Sequence, residues 1–282
     1  MDVKKVLTHY HLRASQYLSQ NFLHSEALAD RIVEASHIEK EDIVLEVGAG
    51  LGILTKALAK KAKTVMTFEK DKKLWGPLPE ILKEYKNIEF IFSDFLAYPL
   101  GDLSNKKVKV VANLPFSIST EIMFHFFKYR KCIETMTLMF QKEVAKRIVA
   151  VPNTKDYGVL SILSQLYSTP KILFSVPPSS FYPVPEVAAA VIHFKMNEVL
   201  LIPQQQEHFF IRVVKTAFMK RRKMLSNSLH KLIPQEILQT VSAKTGISLK
   251  RRMETLSLEE LKKFVGLLYS CLGEAGANRL II

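Results

Sequence analysis

The chain of 282 residues is 48% hydrophobic, enough for one large core with a smaller appended domain. Its formal net charge of +13 favours a polyanionic partner, with nucleic acid ahead of an anionic membrane surface. Its two cysteines, Cys132 and Cys271, have neither metal-ligand nor redox spacing, and no apolar stretch approaches the roughly 20 residues that cross a bilayer. We therefore expect a cytoplasmic protein without a disulfide framework, a bound metal ion or a membrane partner.

Short β-branched or apolar runs alternate with helical patterns from Ile43 to His193. The predicted strands lie near residues 43–47, 64–69, 88–92, 108–112, 134–140 and 187–195. Amphipathic segments between them are long enough for crossover helices, at 53–61, 119–130 and 141–149. Because crossover helices join parallel strands, the pattern predicts an α/β fold with a mostly parallel sheet covered by helices.

Strand signals disappear beyond Asn197, and only helical patterns continue. Helix-type spacing covers three segments, 204–219, 221–232 and 257–271. We therefore predict three parts of the chain: a basic N-terminal arm over 1–23, the α/β domain over 24–199 and a small all-α domain over 200–282.

A strand that runs directly into glycines marks the first candidate site. The run Ile43-Val-Leu-Glu-Val-Gly-Ala-Gly-Leu-Gly52 leads from an apolar strand through three glycines into a helix. Glycine is needed at such a turn because the backbone turns sharply and a ligand approaches where a Cβ atom would collide. Gly48 is therefore a candidate contact of a nucleotide-like cofactor.

Two carboxylates, Glu69 and Asp94, end the next two predicted strands. Glu69 can accept hydrogen bonds from both hydroxyls of a ribose, so the pair predicts an adenosine pocket at the carboxyl edge of the sheet. A nicotinamide dehydrogenase shares this arrangement, but its G-x-G-x-x-G fingerprint would need glycine at Ile53. The pattern E-x-G-x-G, which begins at Glu46, resembles motif I of class I methyltransferases. Their cofactor, S-adenosylmethionine, carries a sulfonium and no phosphate.

The fourth strand runs straight into the tetrapeptide Asn113-Leu-Pro-Phe116, which resembles the [NDS]-[LIP]-P-[YF] motif of amino-methyltransferases. An adenine N6 lone pair is delocalised into the ring, so this amine is a poor nucleophile. The side-chain carbonyl of Asn113 and the backbone carbonyl of Pro115 can hold both N–H groups and favour a pyramidal nitrogen. Phe116 would stack on the extruded base.

Six stretches in chain order resemble the KsgA-type ribosomal RNA small-subunit adenine dimethyltransferases. They are SQNFL (19–23), NLPFSIST (113–120), QKEVA (141–145), DYGVLS (156–161), VPPSSFYPVPEV (176–187) and FMKRRKMLSNSL (218–229). The resemblance extends from about residue 12 to near the end of the chain. It implies a Rossmann-like domain before a small helical domain, and conversion of two adjacent adenines in the 3′-terminal hairpin of 16S rRNA to N6,N6-dimethyladenine.

Carried over by motif, the resemblance implies six cofactor contacts: Asn21, Leu23, Gly48, Glu69, Asp94 and Asn113. It also implies that Phe181 is the second aromatic residue flanking the target adenine. The chain departs from the family pattern at four motif positions, with Ser19 for glycine, Ala49 for proline, Phe116 for the commoner tyrosine and Ser117 for asparagine. None of these changes removes a proposed chemical role.

A run of basic residues without an intervening acid follows in the predicted helical domain. Its candidate phosphate contacts are Arg212, Lys215, Lys220, Arg221, Arg222 and Lys223. Like charges at helical spacing repel one another in the free protein, so phosphate contacts explain this run better than a solvated face. Lys231 extends the run, and the N-terminal arm adds further basic residues.

The expected partner is 16S rRNA or a precursor of the small ribosomal subunit, bound by a monomer in a role in ribosome biogenesis. Two alternatives stay open. One is an Erm-type large-subunit rRNA methylase, although the F-x-P-x-P and KRRKMLSNSL stretches look more like the small-subunit family. The other is a non-catalytic RNA-binding assembly or transcription factor, which the intact Asn113, Pro115 and Phe116 argue against.

Overall fold

A computed structural model of the protein describes residues 2–100 and 107–280. Its strands are β1 (Phe22–Leu23), β2 (Ile43–Val47), β3 (Thr64–Phe68), β4 (Ile88–Ile91), β5 (Val108–Asn113), β6 (Ile133–Gln141), β7 (Ser168–Val176), β8 (Phe181–Tyr182) and β9 (Ala189–Met196). Its helices are α1 (Val3–His9), α2 (Glu26–Ala35), α3 (Ile53–Ala59), α4 (Pro77–Ile81), α5 (Ser119–Lys128), α6 (Lys142–Ile148), α7 (Val159–Tyr167), α8 (Glu207–Met219), α9 (Leu225–Leu229), α10 (Gln235–Thr245) and α11 (Leu258–Arg279). No helix among the described residues is long and apolar enough to cross a membrane.

A seven-stranded sheet forms the framework, with the strand order β4-β3-β2-β5-β6-β9-β7. The first five of these strands pair in parallel, which brings the carboxyl ends of β2, β3, β4 and β5 to one edge. The predicted α/β class and the six predicted strands are confirmed. β9 is an exception to the parallel prediction, because it pairs antiparallel with β6, and β7 is a strand that the sequence patterns did not indicate.

The chain separates into two compact units, one formed by Met1–Ala145 and Pro170–Met196, the other by Lys146–Thr169 and Asn197–Ile282. The helical unit thus includes a segment that the predicted boundary at residue 200 leaves in the first domain. The functional division into three parts stays a prediction.

The central strands of the first unit are buried on both faces of the sheet. Val44, Val65 and Val110 are fully buried in three neighbouring strands, as expected for parallel strands that read as continuous apolar runs. The predicted N-terminal arm begins with the helix α1, whose Val3 and Leu7 join the same core as α2 and α3.

The helical unit contains α7 to α11, and α7 and α10 lie outside the helices predicted from spacing. The predicted helix over 221–232 is wrong in extent, since α9 is only Leu225–Leu229. Residues 220–223 instead form a turn after α8, closed by a hydrogen bond from the Lys223 N–H to the Lys220 carbonyl of 2.8 Å. The basic residues of this turn are therefore not arranged on a helix face.

Candidate active site

A cavity of about 240 Å³ opens at the carboxyl edge of β2, β3 and β5 in the first unit. This volume is far larger than the ~30 Å³ share of one water molecule, so the cavity can take an organic ligand. Its lining includes every residue predicted to contact the cofactor, namely Asn21, Leu23, Gly48, Glu69, Asp94 and Asn113. It also includes Pro115 and Phe116, so the two predicted half-sites share one space.

The glycine turn between β2 and α3 forms the floor of this cavity. Gly48 has φ 82° and Gly52 has φ 80°, both in the left-handed region that favours glycine. A Cβ atom on Gly52 would lie 2.9 Å from Leu82 Cδ1, closer than carbon atoms pack. The predicted need for glycine at this turn therefore has a conformational cause at both positions, and at Gly52 a side chain would also crowd Leu82, whereas the predicted approach of a ligand to the turn stays a prediction.

Glu46 lies beneath the turn, fully buried in β2. Its Oε2 accepts hydrogen bonds of 2.7 Å from the hydroxyls of Thr55 on α3 and Thr67 on β3, which tie the three elements together. Its Oε1 has no hydrogen-bond partner among the described residues. Burial raises the pKa of Glu46 to about 7, so much of the carboxyl is protonated at neutral pH.

Glu69 is held in place by backbone groups on both of its oxygens. The Gly50 N–H donates to Oε2 at 2.9 Å, and the Asp71 N–H donates to Oε1 at 2.7 Å. Each carboxylate oxygen has a second lone pair, so both can still accept from a pair of ribose hydroxyls. Burial raises the pKa of Glu69, and the two backbone hydrogen bonds oppose that shift.

Asp94 follows β4 and shares the edge with a lysine that sequence reasoning missed. Its Oδ2 lies 2.6 Å from Lys70 Nζ, and its Oδ1 accepts from the Leu96 N–H at 3.1 Å. The hydrogen bond from Lys70 lowers the pKa of Asp94. The charged residues of the lining are Glu69, Asp94 and Lys70, which together carry one net negative charge. This charge suits a cationic sulfonium and opposes the pyrophosphate of a dinucleotide.

Asn113 ends β5, and the orientation of its amide is set by Asn21, which lines the same cavity. Its Nδ2 donates to the Asn21 backbone carbonyl at 3.4 Å, a long hydrogen bond. A carbonyl oxygen only accepts, so the amide nitrogen must face Asn21 and the side-chain oxygen is left for another donor. The Pro115 carbonyl accepts one bond of 3.2 Å from the Ile118 N–H and keeps a second lone pair. The predicted loop therefore presents two hydrogen-bond acceptors, the Asn113 side-chain oxygen and the Pro115 carbonyl.

The two predicted stacking residues differ in their access to the cavity. Phe116 is half-buried and lines it, whereas Phe181 is 1% exposed and is not among the lining residues. The two rings meet edge to face with centroids 6.3 Å apart. Phe181 also pairs with Leu23 between β8 and β1. In this structure Phe181 therefore supports Phe116 and β1 from within the core, and presents no open face to a base.

The basic residues of the helical unit do not all have the same surroundings. Arg212, Lys215, Lys220, Arg222 and Lys223 are exposed or half-exposed at the surface of the unit. Arg221 instead binds inside its unit: it donates to Glu254 and to the backbone carbonyls of Thr154 and Lys155 at 2.5–3.0 Å. These partners lie 33 to 67 residues away in sequence, so the partners of Arg221 could not be predicted from the run of basic residues.

Comparison with known proteins identifies the family. A profile described as ribosomal RNA adenine dimethylase matches residues 11–268. The chain belongs to this family. The predicted resemblance is thereby confirmed, and with it the prediction of an rRNA adenine dimethyltransferase at the level of the family.

Curated relatives match along nearly the whole chain. "Ribosomal RNA small subunit methyltransferase A" of Alkaliphilus oremlandii (strain OhILAs) is 40% identical over 265 residues, covering 91% of this chain and 92% of the relative. The protein of the same name from Caldanaerobacter subterraneus subsp. tengcongensis is 40% identical over 269 residues, 93% of this chain and 100% of the relative.

Solved structures agree with the fold. A dimethyladenosine transferase from Plasmodium falciparum superposes with a TM-score of 0.76 at 24% identity, over 86% of this chain and 95% of that one. The 23S rRNA methyltransferase ErmE superposes with a TM-score of 0.70 at 25% identity, over 88% and 99%. The expected Rossmann-like methyltransferase sheet with a C-terminal helical domain is confirmed.

Proposed function

We propose that this protein uses S-adenosylmethionine to dimethylate the N6 atoms of two adjacent adenines in the 3′-terminal hairpin of 16S rRNA, in the course of small-subunit biogenesis. One observation carries the proposal: a single cavity joins the acidic edge formed by Glu69 and Asp94 with the acceptor loop Asn113–Phe116. The two curated relatives described above are both named small-subunit methyltransferases, which supports the choice of RNA.

The acidic part of the cavity would hold the cofactor. S-adenosylmethionine supplies an electrophilic methyl group on a sulfonium. Glu69 would accept from the ribose hydroxyls, with its carboxylate already positioned by two backbone N–H groups. Asp94 would lie at the adenine end, while Asn21, Leu23 and Gly48 complete the contacts. The net negative charge of the lining favours a cation over a phosphate.

The loop after β5 would hold the target amine. The Asn113 side-chain oxygen and the Pro115 carbonyl would accept the two N6–H groups, which frees the nitrogen lone pair from the ring and directs it toward the methyl group. The same dipoles stabilise positive charge that develops on nitrogen during transfer. Phe116 would stack on the flipped base, with Phe181 behind it.

The basic residues at the surface of the helical unit would contact RNA phosphates. We assign this role to Arg212, Lys215, Lys220, Arg222 and Lys223. Arg221 has the different role of holding the turn, because its guanidinium is committed to Glu254 and two carbonyls. We further propose that the protein acts as a cytoplasmic monomer.

The proposal is tested with purified protein, S-adenosylmethionine and small ribosomal subunits from cells that lack this gene. We expect N6,N6-dimethyladenosine in the small-subunit rRNA by nucleoside mass spectrometry, and none in large-subunit rRNA assayed in parallel. Methylation of the large-subunit rRNA alone would indicate the Erm-type activity. Binding without methylation of either RNA would indicate a non-catalytic assembly factor.

Asn113→Ala separates chemistry from binding in the same assay. Losing one preorganised acceptor typically costs about 10²–10³ in rate. We therefore expect a loss of that size in single-turnover rate at saturating cofactor, with RNA affinity nearly unchanged. A variant that methylates adenine at the parental rate would refute the role of Asn113, although not the family assignment.

A further inference from the structure

The segment from Ser15 to Gln20 is a closed turn at the mouth of the cavity. The Gln20 N–H donates to the Ser15 carbonyl at 3.1 Å, and the Ser15 N–H donates back to the Gln20 side-chain oxygen at 2.8 Å. Within this ring the Ser19 N–H donates to the Gln16 carbonyl at 2.9 Å. The turn is therefore stabilised by its own hydrogen bonds as well as by its neighbours.

Tyr17 stands at the tip of this turn and is 93% exposed, more than any other large hydrophobic residue that the structure describes. It nevertheless belongs to the lining of the cavity, together with Leu18 and Ser19. A ring with this exposure packs on little of the protein, so it contributes little to folding and both of its faces are accessible. Its position at the rim therefore suggests a role in binding.

Two hydrogen bonds fix the turn relative to the catalytic loop and the acidic edge. Ser19 Oγ donates to Ser117 Oγ at 2.9 Å, and Ser117 directly follows Phe116. Gln20 Nε2 donates to Asp71 Oδ2 at 2.8 Å, next to the acidic edge. Ser19 has φ 50°, an uncommon conformation for serine, which the surrounding hydrogen bonds maintain. The turn thus holds Tyr17 on the same rim as Phe116.

We propose that Tyr17 stacks on an unpaired nucleobase of the RNA that neighbours the adenine held by Phe116. This inference rests on the proposed function, and it adds a substrate contact that the motifs do not contain. A flipped nucleotide leaves its neighbours partly unstacked, and an exposed aromatic face can replace the missing stacking for any base. The net charge of +13 favours binding of an RNA strand to the protein, and the bond between Ser19 and Ser117 places Tyr17 beside the loop proposed to hold the adenine.

Three substitutions at Tyr17 separate aromatic stacking from apolar contact. Tyr17→Phe keeps the ring, Tyr17→Leu keeps apolar volume without a ring, and Tyr17→Ala removes both. Since Tyr17 is so exposed, all three variants should fold, which circular dichroism and thermal unfolding check. Affinity for undermethylated small ribosomal subunits is measured by filter binding, and affinity for S-adenosylmethionine by calorimetry.

We expect Tyr17→Ala and Tyr17→Leu to weaken subunit binding about 5- to 150-fold, the range for removal of one base stack. Tyr17→Phe should bind within about twofold of the parent, and cofactor affinity should change in none of them. Ultraviolet cross-linking of the parent should join the Tyr17 peptide to a nucleotide next to the adenine that Phe116 would hold, either the second adenine of the pair or the nucleotide on the other side.

Two results would overturn the inference. Subunit binding by Tyr17→Ala and Tyr17→Leu at parental affinity would show that the ring contacts no base. Loss of cofactor affinity with intact subunit binding would instead make Tyr17 part of the cofactor cover. Neither result bears on the proposed function, which is tested by whether the parental protein methylates the subunits. A parental protein that does not methylate them would contradict the proposed function itself.

Discussion

Glu46→Gln tests whether a buried, largely protonated carboxyl supports the glycine turn. The side chain is fully buried, and its Oε2 accepts from Thr55 and Thr67. Glutamine has the same shape, and its side-chain oxygen can keep both hydrogen bonds. Its NH₂ group would occupy the place of Oε1, which has no hydrogen-bond partner among the described residues. The substitution therefore removes the titratable carboxyl group and preserves the packing around the side chain.

The size of the effect follows from the pKa of Glu46, which burial raises from 4.5 to about 7. At about 1.4 kcal/mol for each pKa unit, the full shift corresponds to about 3.5 kcal/mol. Because the folded-state pKa is raised, the folded protein binds a proton that the unfolded chain has released. This contribution to stability is fully present below pH 4.5 and is lost as the pH rises through about 7.

Urea unfolding at pH 5 and pH 8 measures the difference directly. The glutamine side chain of the variant does not titrate, so the stability of the variant relative to the parent should rise by about 2.5 kcal/mol between the two pH values. Titrating groups that do not interact with Glu46 change both proteins equally and cancel in the comparison, whereas Glu69, whose charge contributes to the raised pKa of Glu46, does not cancel fully. An equal difference in unfolding free energy at pH 5 and pH 8 would refute a raised pKa at Glu46.

Two further predictions concern the ligands. Glu69→Ala should weaken S-adenosylmethionine binding, because the ribose loses its acceptor pair, while RNA affinity measured separately stays nearly unchanged; unaltered cofactor affinity in calorimetry would mean that the ribose binds elsewhere. Replacing Arg222 and Lys223 together by alanine should reduce the salt dependence of RNA binding by about 0.7–0.9 in slope for each phosphate that is no longer neutralised. An unchanged slope would show that these side chains are merely solvated. Arg221→Ala should instead lower thermal stability, because Glu254 loses its hydrogen-bonded partner and the Thr154 and Lys155 carbonyls lose their donor.

The acidic edge of the site could be predicted from sequence because each of its residues follows a parallel strand closely. Strand periodicity places Glu69 after β3 and Asp94 after β4, and the parallel pairing of those strands brings their ends together. The glycines after β2 mark the same edge. Short-range patterns of this kind carry the information that locates the cavity.

Interactions between distant segments could not be predicted in the same way. The burial of Phe181 depends on pairing between β8 and β1, two strands of two residues each that leave no periodic signal. The ion pair of Lys70 with Asp94 spans 24 residues, and a lysine after an acid looks like any solvated charge. The antiparallel direction of β9 likewise depends on the connection that precedes it.

Asn113 links the segment Ser19–Asn21, which lines the cavity, to the loop proposed to accept the substrate amine. Its amide nitrogen donates to the Asn21 carbonyl, and Asn21 belongs to this segment. If that segment moved away, the amide would lose the partner that fixes its orientation, and its oxygen would no longer be held toward the amine. A second bond, from Ser19 to Ser117, joins the same two segments. In the proposed function, order in the segment Ser19–Asn21 would therefore also order the loop that would hold the adenine, so cofactor binding that stabilises this segment would increase the fraction of molecules with a correctly oriented acceptor.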